Sequence, residues 1–266
     1  MNFGQYVTAR TSALGTARPG GGSKPWVIAH RGYSGAAPEN TMAAFDAAQA
    51  IGAEFIEIDL GLTADGTPVV IHDSTINRTT NLQGRVSDLT DESLSLADAG
   101  SWMGPGFAGQ RVPALRTVLE DLHVSGGDVL LEFKDDWSPG AIAHVARDVV
   151  ETRTADRVLI QSFSVRTLEV CRDLLPMVPR ALLRLVPRPD DKALLEELDA
   201  VGYNLSLRGF LARRQVAEEF MAAGYGVFVW TVNEAPDWEK VLGAGVHGII
   251  TDQPARLQGY LSAKFD

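Results

Sequence analysis

Residues 27–41 read VIAHRGYSGAAPENT, and they join two different structural patterns. The stretch begins as a short apolar run of the kind found in strands that are covered on both faces, and this run ends at His30 and Arg31. Residues 40–51, NTMAAFDAAQAI, then carry apolar residues at helical spacing, with Asn40 as the predicted N-cap. The stretch therefore predicts a strand-to-helix unit whose strand ends in charged or titratable side chains.

Similar units recur along the chain. The strand candidates are the runs WVIAH, EFIEIDL, PVVIHD, VLLEFK, RVLIQSF, RALLRLV, YNLSL, GVFVWTV and GIITD. Further helical patterns are PALRTVLEDLHVSGG, PGAIAHVARDVVETR, SVRTLEVCRDLL, DDKALLEELDAVG and LARRQVAEEFMAAGYG. Alternating strands and helices predict an α/β protein with a parallel sheet, and this many units favour a closed (β/α)₈ TIM barrel. The first strand lacks the Gly-rich dinucleotide fingerprint, which argues against an open doubly wound sheet.

The strand candidates exceed the eight strands of such a barrel by one. EFIEIDL and PVVIHD are joined by GLTADGT, which is too short for a crossover helix. We expect the chain to descend through about residues 60–64, turn at Asp65–Gly66 and rise again. That path would bring both Asp59 and His72 to the C-terminal face, and one candidate would then lie outside the barrel.

The chain divides into three regions by composition. Residues 1–24 are rich in Gly, Ser, Thr and Arg and predict a flexible leader. Residues 25–266 predict a single barrel domain. Residues 74–113 form its longest non-repeating connection, and we expect a rim loop or small insertion at the C-terminal face.

Composition restricts the partners and the location. The formal net charge is −10 and no basic stripe is present, which argues against nucleic acid as a partner. No apolar run has the length of a membrane-spanning helix, and the first residues lack a signal-peptide core, so we expect a cytoplasmic protein without a transmembrane segment. The sequence leaves the oligomeric state open.

Four other reactive side chains lack a chemical partner at a meaningful spacing. Cys171 is the single cysteine and lies in an apolar stretch, so we interpret it as a core thiol. The remaining histidines, His123, His144 and His247, are interpreted as structural or surface residues.

Carboxylates recur where buried strands end. Glu57 and Asp59 lie two residues apart and share one strand face, and Glu132 and Lys134 repeat this spacing. Strand-end charges that reach solvent or form ion pairs are one interpretation. In a parallel barrel, however, all these ends meet at the C-terminal face. Uncompensated carboxylates would be costly there, and a hard divalent cation, Mg²⁺ or Ca²⁺, held by Glu57, Asp59 and Glu132 removes that cost.

The remaining strand-end residues indicate phosphoryl transfer. His30 and His72 end two of the runs, and one imidazole can accept a proton while the other donates one. Arg31 and Lys134 are placed to stabilise charge on phosphate oxygens together with the metal.

These residues belong to a set of motifs that closely resembles the glycerophosphodiester phosphodiesterases. The motifs are HRG…PENT…F, IEID, T-ADG-TPVVIHD, NRTTN, LEFK, QSF, VWTVN and GIITD-QP, in this order from about residue 27 to residue 254. The resemblance implies a catalytic acid/base pair, three metal ligands, two phosphate contacts and an aromatic side chain against the glycerol moiety. These are, in that order, His30 and His72; Glu57, Asp59 and Glu132; Arg31 and Lys134; and Trp230.

The other matched positions have expected roles outside the central set of site residues. Glu39 either assists the metal site or braces Arg31, or it only complements the helix dipole. Asn40 is expected to be an N-cap rather than a ligand, and Gln161 and Asp252 are expected at the rim of the site. Gly32 is expected to let the backbone turn close to the ligand.

The expected reaction is metal-dependent hydrolysis of a glycerophosphodiester to sn-glycerol 3-phosphate and an alcohol. His30 is assigned as general base and His72 as general acid, and the attacking group is water or the glycerol 2-hydroxyl. One alternative is a lysophospholipase D on the same scaffold, which predicts an apolar lip from Trp102, Met103 and Phe107. The other is a non-catalytic barrel that binds a phosphorylated ligand.

Overall fold

The computed structural model describes residues 3–6 and 24–265, and its centre is a closed barrel of eight parallel strands. Neighbouring strands follow the order β1-β9-β8-β7-β6-β5-β4-β2, and β1 pairs again with β2, which closes the barrel. This confirms the predicted TIM barrel. The strands are β1 (Trp26–His30), β2 (Phe55–Leu62), β3 (Pro68–Val70), β4 (Val129–Phe133), β5 (Val158–Ser162), β6 (Arg180–Arg184), β7 (Gly202–Ser206), β8 (Phe228–Trp230) and β9 (Gly248–Thr251).

Helices connect most of the strands. They are α1 (Met42–Ala50), α2 (Asp91–Ser95), α3 (Leu115–Ser125), α4 (Pro139–Glu151), α5 (Val165–Leu174), α6 (Asp191–Glu197), α7 (Leu207–Ala212), α8 (Arg214–Ala222), α9 (Ala235–Leu242) and α10 (Pro254–Phe265). Short 3₁₀ turns lie at Val86–Asp88 and Pro105–Phe107. Within the described residues, no helix has both the length and the apolar character needed to cross a membrane.

The extra strand is β3, which forms a hairpin with β2 outside the closed barrel. β2 continues upward past the end of β4, and β3 returns antiparallel to it, with Leu60 opposite Val70 and Leu62 opposite Pro68. The predicted descent through residues 60–64 is therefore wrong, although the turn does lie around Gly66, which has a φ of 83°. Because the hairpin projects above the barrel, its return brings His72 down to the level of Asp59.

Side chains alternate between the outward and the inward face of each strand, and the inward face changes from apolar to polar toward the C-terminal end of the strand. One face of each strand packs against the surrounding helices, as Val27 and Ile56 do. The opposite face points into the barrel, where Trp26, Ile28 and Phe55 form an apolar layer with Leu130, Leu159, Val201, Phe228 and Ile250. The next inward positions toward the C-terminal ends are polar. The alternation therefore places the polar residues on top of a closed apolar floor.

Residues 74–113 pack beside the barrel around a small apolar cluster. Ile76, Val86, Leu94 and Ala97 pack with residues of β3 and the following turn in an apolar cluster separate from the main core. This cluster holds the segment against the β2–β3 hairpin, next to His72.

The N-terminal residues that the structure describes differ from the predicted flexible leader. Residues 3–6 form a helical turn, and its aromatic side chains Phe3 and Tyr6 are buried. Phe3 packs edge-on against Trp26, Phe228 and His247, with ring centroids 6.0, 6.2 and 4.7 Å away. The prediction of a flexible leader is thus wrong for residues 3–6, because these two aromatic side chains cover the N-terminal end of the barrel. Residues 1–2 and 7–23 lie outside the described residues.

Candidate active site

The three predicted metal ligands lie side by side at the top of the barrel. Asp59 of β2 is in register with Glu132 of β4, and Glu57 is in register with His30 of β1. Each carboxylate is buried, and the three groups offer oxygen atoms that all lie within 4.8 Å of one another. The two-residue spacing of Glu57 and Asp59 on one strand face, together with the strand register, produces this cluster.

Two cations partly compensate the buried carboxylates. Lys134 Nζ lies 2.8 Å from Asp59 Oδ1 and 2.5 Å from Glu132 Oε1, and Arg31 Nε lies 3.3 Å from Asp59 Oδ2. Burial would raise the pKa of Asp59, but Lys134 and Arg31 outweigh it and hold this pKa well below its usual range. Asp59 therefore stays ionised.

The other two carboxylates are less well compensated. Burial, reinforced by the negative charge of Asp59, raises the pKa of Glu57 to about 8. The same two causes raise the pKa of Glu132, against the opposing effect of Lys134. With only these side chains present, the cluster thus holds more negative charge than it can stabilise.

This excess of negative charge fits a hard divalent cation. Three convergent carboxylates supply the oxygen ligands that Mg²⁺ and Ca²⁺ prefer, and within the described residues no thiolate or imidazole belongs to the cluster. A cation there would favour the ionised forms of Glu57 and Glu132. The geometry and the electrostatics both support the predicted metal site, and neither selects the ion.

His30 ends β1 and is oriented by a carboxylate from the loop after β9. Its Nδ1 lies 2.6 Å from Asp252 Oδ1, and Asn233 Nδ2 donates to Asp252 Oδ2 at 2.7 Å. Ser34 Oγ also donates to Asp252, at 3.1 Å. Burial would lower the pKa of His30, but the Asp252 hydrogen bond and the charge of Glu57 raise it overall. Asp252, expected only as a rim contact, fixes the ring so that Nε2 is free for chemistry.

His72 has a similar partner on the opposite side of the carboxylates. Its Nδ1 lies 2.6 Å from Asp73 Oδ1, and Arg78 Nε donates to Asp73 Oδ2 at 2.7 Å. The Arg78 hydrogen bonds lower the pKa of Asp73 to about 2, so Asp73 stays ionised as the partner of the ring. Burial lowers the pKa of His72. Asp59 and Asp73 act in the opposite direction, but Lys134 and Arg31 offset them, so the pKa is lowered overall.

Arg78 also connects His72 to the βα loop that follows β1. Its Nη1 and Nη2 donate to the two Glu39 oxygens at 2.6 and 2.8 Å, and Arg31 Nη1 donates to Glu39 Oε1 at 2.8 Å. Glu39 therefore lies behind the site and supports Arg31, which decides between its two interpretations. Asp73 and Arg78 had no predicted role, although they lie in the quoted motifs TPVVIHD and NRTTN.

The helix after this loop begins one residue later than predicted. Thr41 is the N-cap of α1, because its side chain accepts a hydrogen bond from Ala44 N. Asn40 is buried instead and donates from Nδ2 to Asp59 Oδ2 at 2.9 Å, so the predicted N-cap role is wrong. Gly32 has a φ of 78°, which fits the expected backbone turn, and a Cβ there would also lie 2.7 Å from the backbone of Ala44 in α1.

Gln161 lies beside the carboxylates at the top of β5. Its Nε2 approaches Glu57 Oε1 at 3.4 Å and Glu132 Oε2 at 3.3 Å. Asn204 Nδ2 donates to Gln161 Oε1 at 2.9 Å, which orients the amide with its NH₂ group toward the carboxylates. Gln161 is thus a neighbour of the candidate ligands, as expected.

A cavity of about 450 Å³ opens above the carboxylates. Both histidines, Glu57, Glu132 and Lys134 line it, and its apolar wall consists of Trp230, Phe163 and Leu185. The rings of Trp230 and Phe163 pack edge to face, with centroids 5.7 Å apart. Trp230 therefore lies in the same cavity as the two histidines, where the family resemblance places it.

Several other predicted positions lie away from this cavity. Cys171 is fully buried in the main core, and burial raises the pKa of its thiol to about 12, as expected for a core thiol. A larger groove of about 810 Å³ adjoins this cavity, between the β2–β3 hairpin and residues 135–138. Trp102, Met103 and Phe107, the expected apolar lip, are not among the residues that line the cavity or this larger groove. The apolar surface at the site comes from the loops after β5 and β6 instead.

Comparison with known proteins agrees with this arrangement. The model of the Glycerophosphoryl diester phosphodiesterase family matches residues 30–256. A glycerophosphodiester phosphodiesterase of Caldanaerobacter subterraneus subsp. tengcongensis is 38% identical over 236 residues, which are 88% of this chain and 96% of that protein. One from Bacillus altitudinis is 34% identical over 235 residues, which are 86% of this chain and 95% of that protein.

A solved structure adds a bound molecule to this comparison. A phosphodiesterase of Oleispira antarctica, in complex with the product sn-glycerol-3-phosphate, superposes with a TM-score of 0.85 at 31% identity, covering 90% of this chain and 97% of that one. The family model covers most of the chain, and the two relatives match it almost from end to end. The chain belongs to the glycerophosphoryl diester phosphodiesterase family, and it is a phosphodiesterase.

Proposed function

We propose that this phosphodiesterase is metal-dependent and cleaves glycerophosphodiesters to sn-glycerol 3-phosphate and an alcohol by general acid–base catalysis. The observation that carries the proposal is the pair of histidines, His30 and His72, each held by its own carboxylate beside a buried three-carboxylate cluster. The sn-glycerol-3-phosphate bound to the Oleispira antarctica relative supports the product. A cytoplasmic location and the absence of a nucleic-acid partner stay predictions.

Glu57, Asp59 and Glu132 would hold the cation. When bound, the cation supplies positive charge that offsets these carboxylates and stabilises charge on the phosphate oxygens. Lys134 and Arg31 border the same cavity, so their donors can contact the phosphate as well.

We infer the roles of the two histidines from their positions. Both line the smaller cavity with Trp230, the residue that we expect to contact glycerol, but His30 lines only this cavity, so we place it on the glycerol side of the scissile bond. His72 lies between this cavity and the larger groove beyond it. We therefore assign His30 as the general base and His72 as the general acid that protonates the departing alcohol.

The pKa directions alone would favour the reverse assignment, because the pKa of His30 is raised and that of His72 is lowered. Geometry takes precedence over these pKa directions, because a catalytic group must first reach the proton that it transfers. Part of the raised pKa of His30 also comes from the charge of Glu57, which a bound cation would offset.

Two nucleophiles are compatible with a base at His30. If water attacks, sn-glycerol 3-phosphate forms directly. If the glycerol 2-hydroxyl attacks, a cyclic phosphate forms first, and water opens it in a second step. Rapid quenching during turnover, followed by analysis for the cyclic phosphate, distinguishes the two routes.

A substrate with a leaving group that needs no proton tests the assigned roles. We expect His72→Ala to lose about 10²-fold or more in kcat on glycerophosphocholine but to retain most activity on glycerophospho-p-nitrophenol, because nitrophenolate departs without a general acid. His30→Ala should be impaired on both substrates. If His30→Ala is the variant that the nitrophenyl substrate rescues, the two roles are reversed; full activity of either variant on glycerophosphocholine would refute His/His catalysis.

A lysophospholipase D activity is the second candidate, and one observation favours it. Phe163, Leu185 and Val186 expose 40%, 62% and 41% of their surface, and the first two line the cavity next to Trp230. An acyl chain on the glycerol could lie along this surface. Comparing kcat/KM for lysophosphatidylcholine and glycerophosphocholine, in wild type and in Leu185→Ser, decides this point. A selective loss on the lysolipid in Leu185→Ser supports the activity, and equal effects on both substrates exclude it.

A further inference from the structure

A second groove of about 810 Å³ adjoins the catalytic cavity, and the two share His72 and Lys134. One wall is formed by the β2–β3 hairpin and residues 85–87, and the other by residues 135–138 after β4. The groove is larger than the cavity above the carboxylates. It begins at the histidine that we assign as the general acid, so whatever His72 protonates leaves toward it.

We propose that this groove is the subsite for the leaving alcohol, and that Asp135 and Asp136 make it selective for alcohols that carry an ammonium group. The proposal rests on the proposed function. In the step concerned, the bond between phosphorus and the alcohol oxygen breaks, and that oxygen takes the proton of His72. The alcohol is then neutral at its hydroxyl, and its remaining part occupies the groove.

The charged residues of the groove favour a cationic group. Asp73 is already paired with Arg78, and Lys134 is paired with Asp59 and Glu132. Among the charged residues of the groove, Asp135 and Asp136 on one wall and Arg85 on the other have no such ion pair within the part of the chain that the structure describes.

The two carboxylates are available to a ligand. Within residues 3–6 and 24–265, the Asp135 side chain makes no hydrogen bond or ion pair, and that of Asp136 accepts a hydrogen bond from Ser164 Oγ. Both residues are exposed at the groove. Asp135 has a φ of 54°, in the left-handed region, and the chain turns sharply there directly after Lys134. Asp135 and Asp136 line the groove and are not among the residues that line the cavity above the candidate metal ligands.

Both walls of the groove also carry apolar side chains. Leu62, Ile71 and Val86 lie on the hairpin wall, and Trp137 lies on the opposite wall, where it packs against Phe133 with centroids 5.0 Å apart. Apolar walls and two carboxylates together suit an alcohol with a short hydrocarbon stem and a cationic end, such as choline or ethanolamine. A polyhydroxylated leaving group such as glycerol can donate hydrogen bonds to the carboxylates, but it brings no positive charge and little apolar surface.

The test compares leaving groups within one enzyme. For wild type, Asp135→Asn, Asp136→Asn and the double variant, kcat/KM is measured with glycerophosphocholine and with glycerophosphoglycerol. We expect the ratio of the two values to fall about three- to tenfold in the double variant, because two exposed carboxylate contacts to the ammonium are lost. Asparagine tolerates the left-handed backbone at position 135 and keeps an acceptor for Ser164, so the fold is preserved.

Asp46→Asn is the matched control, because this carboxylate is exposed on α1 and lines neither cavity. Added NaCl should also reduce the wild-type ratio and leave that of the double variant nearly constant. If the ratio in the double variant changes no more than in Asp46→Asn, the subsite is wrong while the proposed function stands. If wild type releases no sn-glycerol 3-phosphate from either substrate, the proposed function itself fails.

Discussion

The imidazole Nδ1 of His30 and the Oδ1 of Asp252 lie 2.6 Å apart, although 222 residues separate them in the chain. β1 and β9 are neighbours in the barrel, so the residue after β9 meets the residue that ends β1. Asn233, which follows β8, holds the other oxygen of Asp252. Residues at the ends of three neighbouring strands thus hold the His30 ring in a single orientation.

Replacing Asp252 should impair catalysis without unfolding the protein. We expect Asp252→Asn to lower kcat about 10- to 100-fold, part of the gain that a well-positioned base provides. Because the Asp252 hydrogen bond raises the pKa of His30, its loss should also move the acidic limb of the kcat/KM profile to lower pH. Asp237→Asn on α9 is the control, a carboxylate of similar exposure paired with Lys240. Unchanged kcat in Asp252→Asn would show that His30 needs no such partner.

Arg78 should act as a positioning residue for His72. Its guanidinium binds Asp73 and Glu39 through both carboxylate oxygens of each, which a lysine ammonium cannot reproduce. We expect Arg78→Lys to lower kcat/KM about tenfold and Arg78→Met still more, since part of the acid–base contribution of His72 depends on this contact. Arg116→Lys, which removes a similarly exposed arginine paired with Asp148 between α3 and α4, should be nearly silent. Equal activity of Arg78→Met and Arg116→Lys contradicts the assignment.

Bound cation should stabilise the folded protein, independently of catalysis. At a concentration about 100-fold above Kd, binding contributes about 2.7 kcal/mol. For a chain of this size that corresponds to a rise in Tm of about 5–10 °C. Differential scanning fluorimetry with EDTA, Mg²⁺ or Ca²⁺ measures this shift, which should vanish in Asp59→Asn and Glu132→Gln but remain in Asp46→Asn. A wild-type Tm that neither ion changes would refute the metal site.

His247 should make the stability of the fold depend on pH below neutrality. Burial lowers its pKa to about 4 from an unfolded value of 6.5, and its Nδ1 accepts a hydrogen bond from Val227 N. The stabilisation is therefore complete above pH 6.5 and is lost as the pH falls toward 4. Between pH 7 and 5 this residue should account for a loss of about 2 kcal/mol in the free energy of unfolding. Urea unfolding of wild type and His247→Asn at both pH values measures it, and parallel losses in the two proteins would contradict this role.

The part of the site that follows from strand periodicity was predictable from the sequence. Glu57 and Asp59 are two residues apart, so they share a face, and parallel strands bring Glu132 and His30 to the same end. The fold was predictable for the same reason, because the apolar runs and the helical patterns alternate along the chain.

Contacts between distant loops were not predictable in this way. No periodicity relates Arg78 to Glu39, which lie 39 residues apart in two irregular segments. Asn40 resembles an N-cap by residue type, and only the left-handed backbone at this position, with a φ of 56°, turns its side chain toward Asp59. The aromatic side chains of residues 3–6 were overlooked because the surrounding composition is typical of a flexible segment.

Release of sn-glycerol 3-phosphate tests the central claim most directly. A coupled assay with glycerophosphocholine would compare wild type, His30→Ala and His72→Ala, each with EDTA and with Mg²⁺ or Ca²⁺ restored. The account predicts product release by the wild type with at least one of these ions, its loss in EDTA, and a decrease of about 10²-fold or more in each histidine variant. Undiminished release in EDTA, or by either histidine variant, would contradict metal-dependent His/His catalysis at this site.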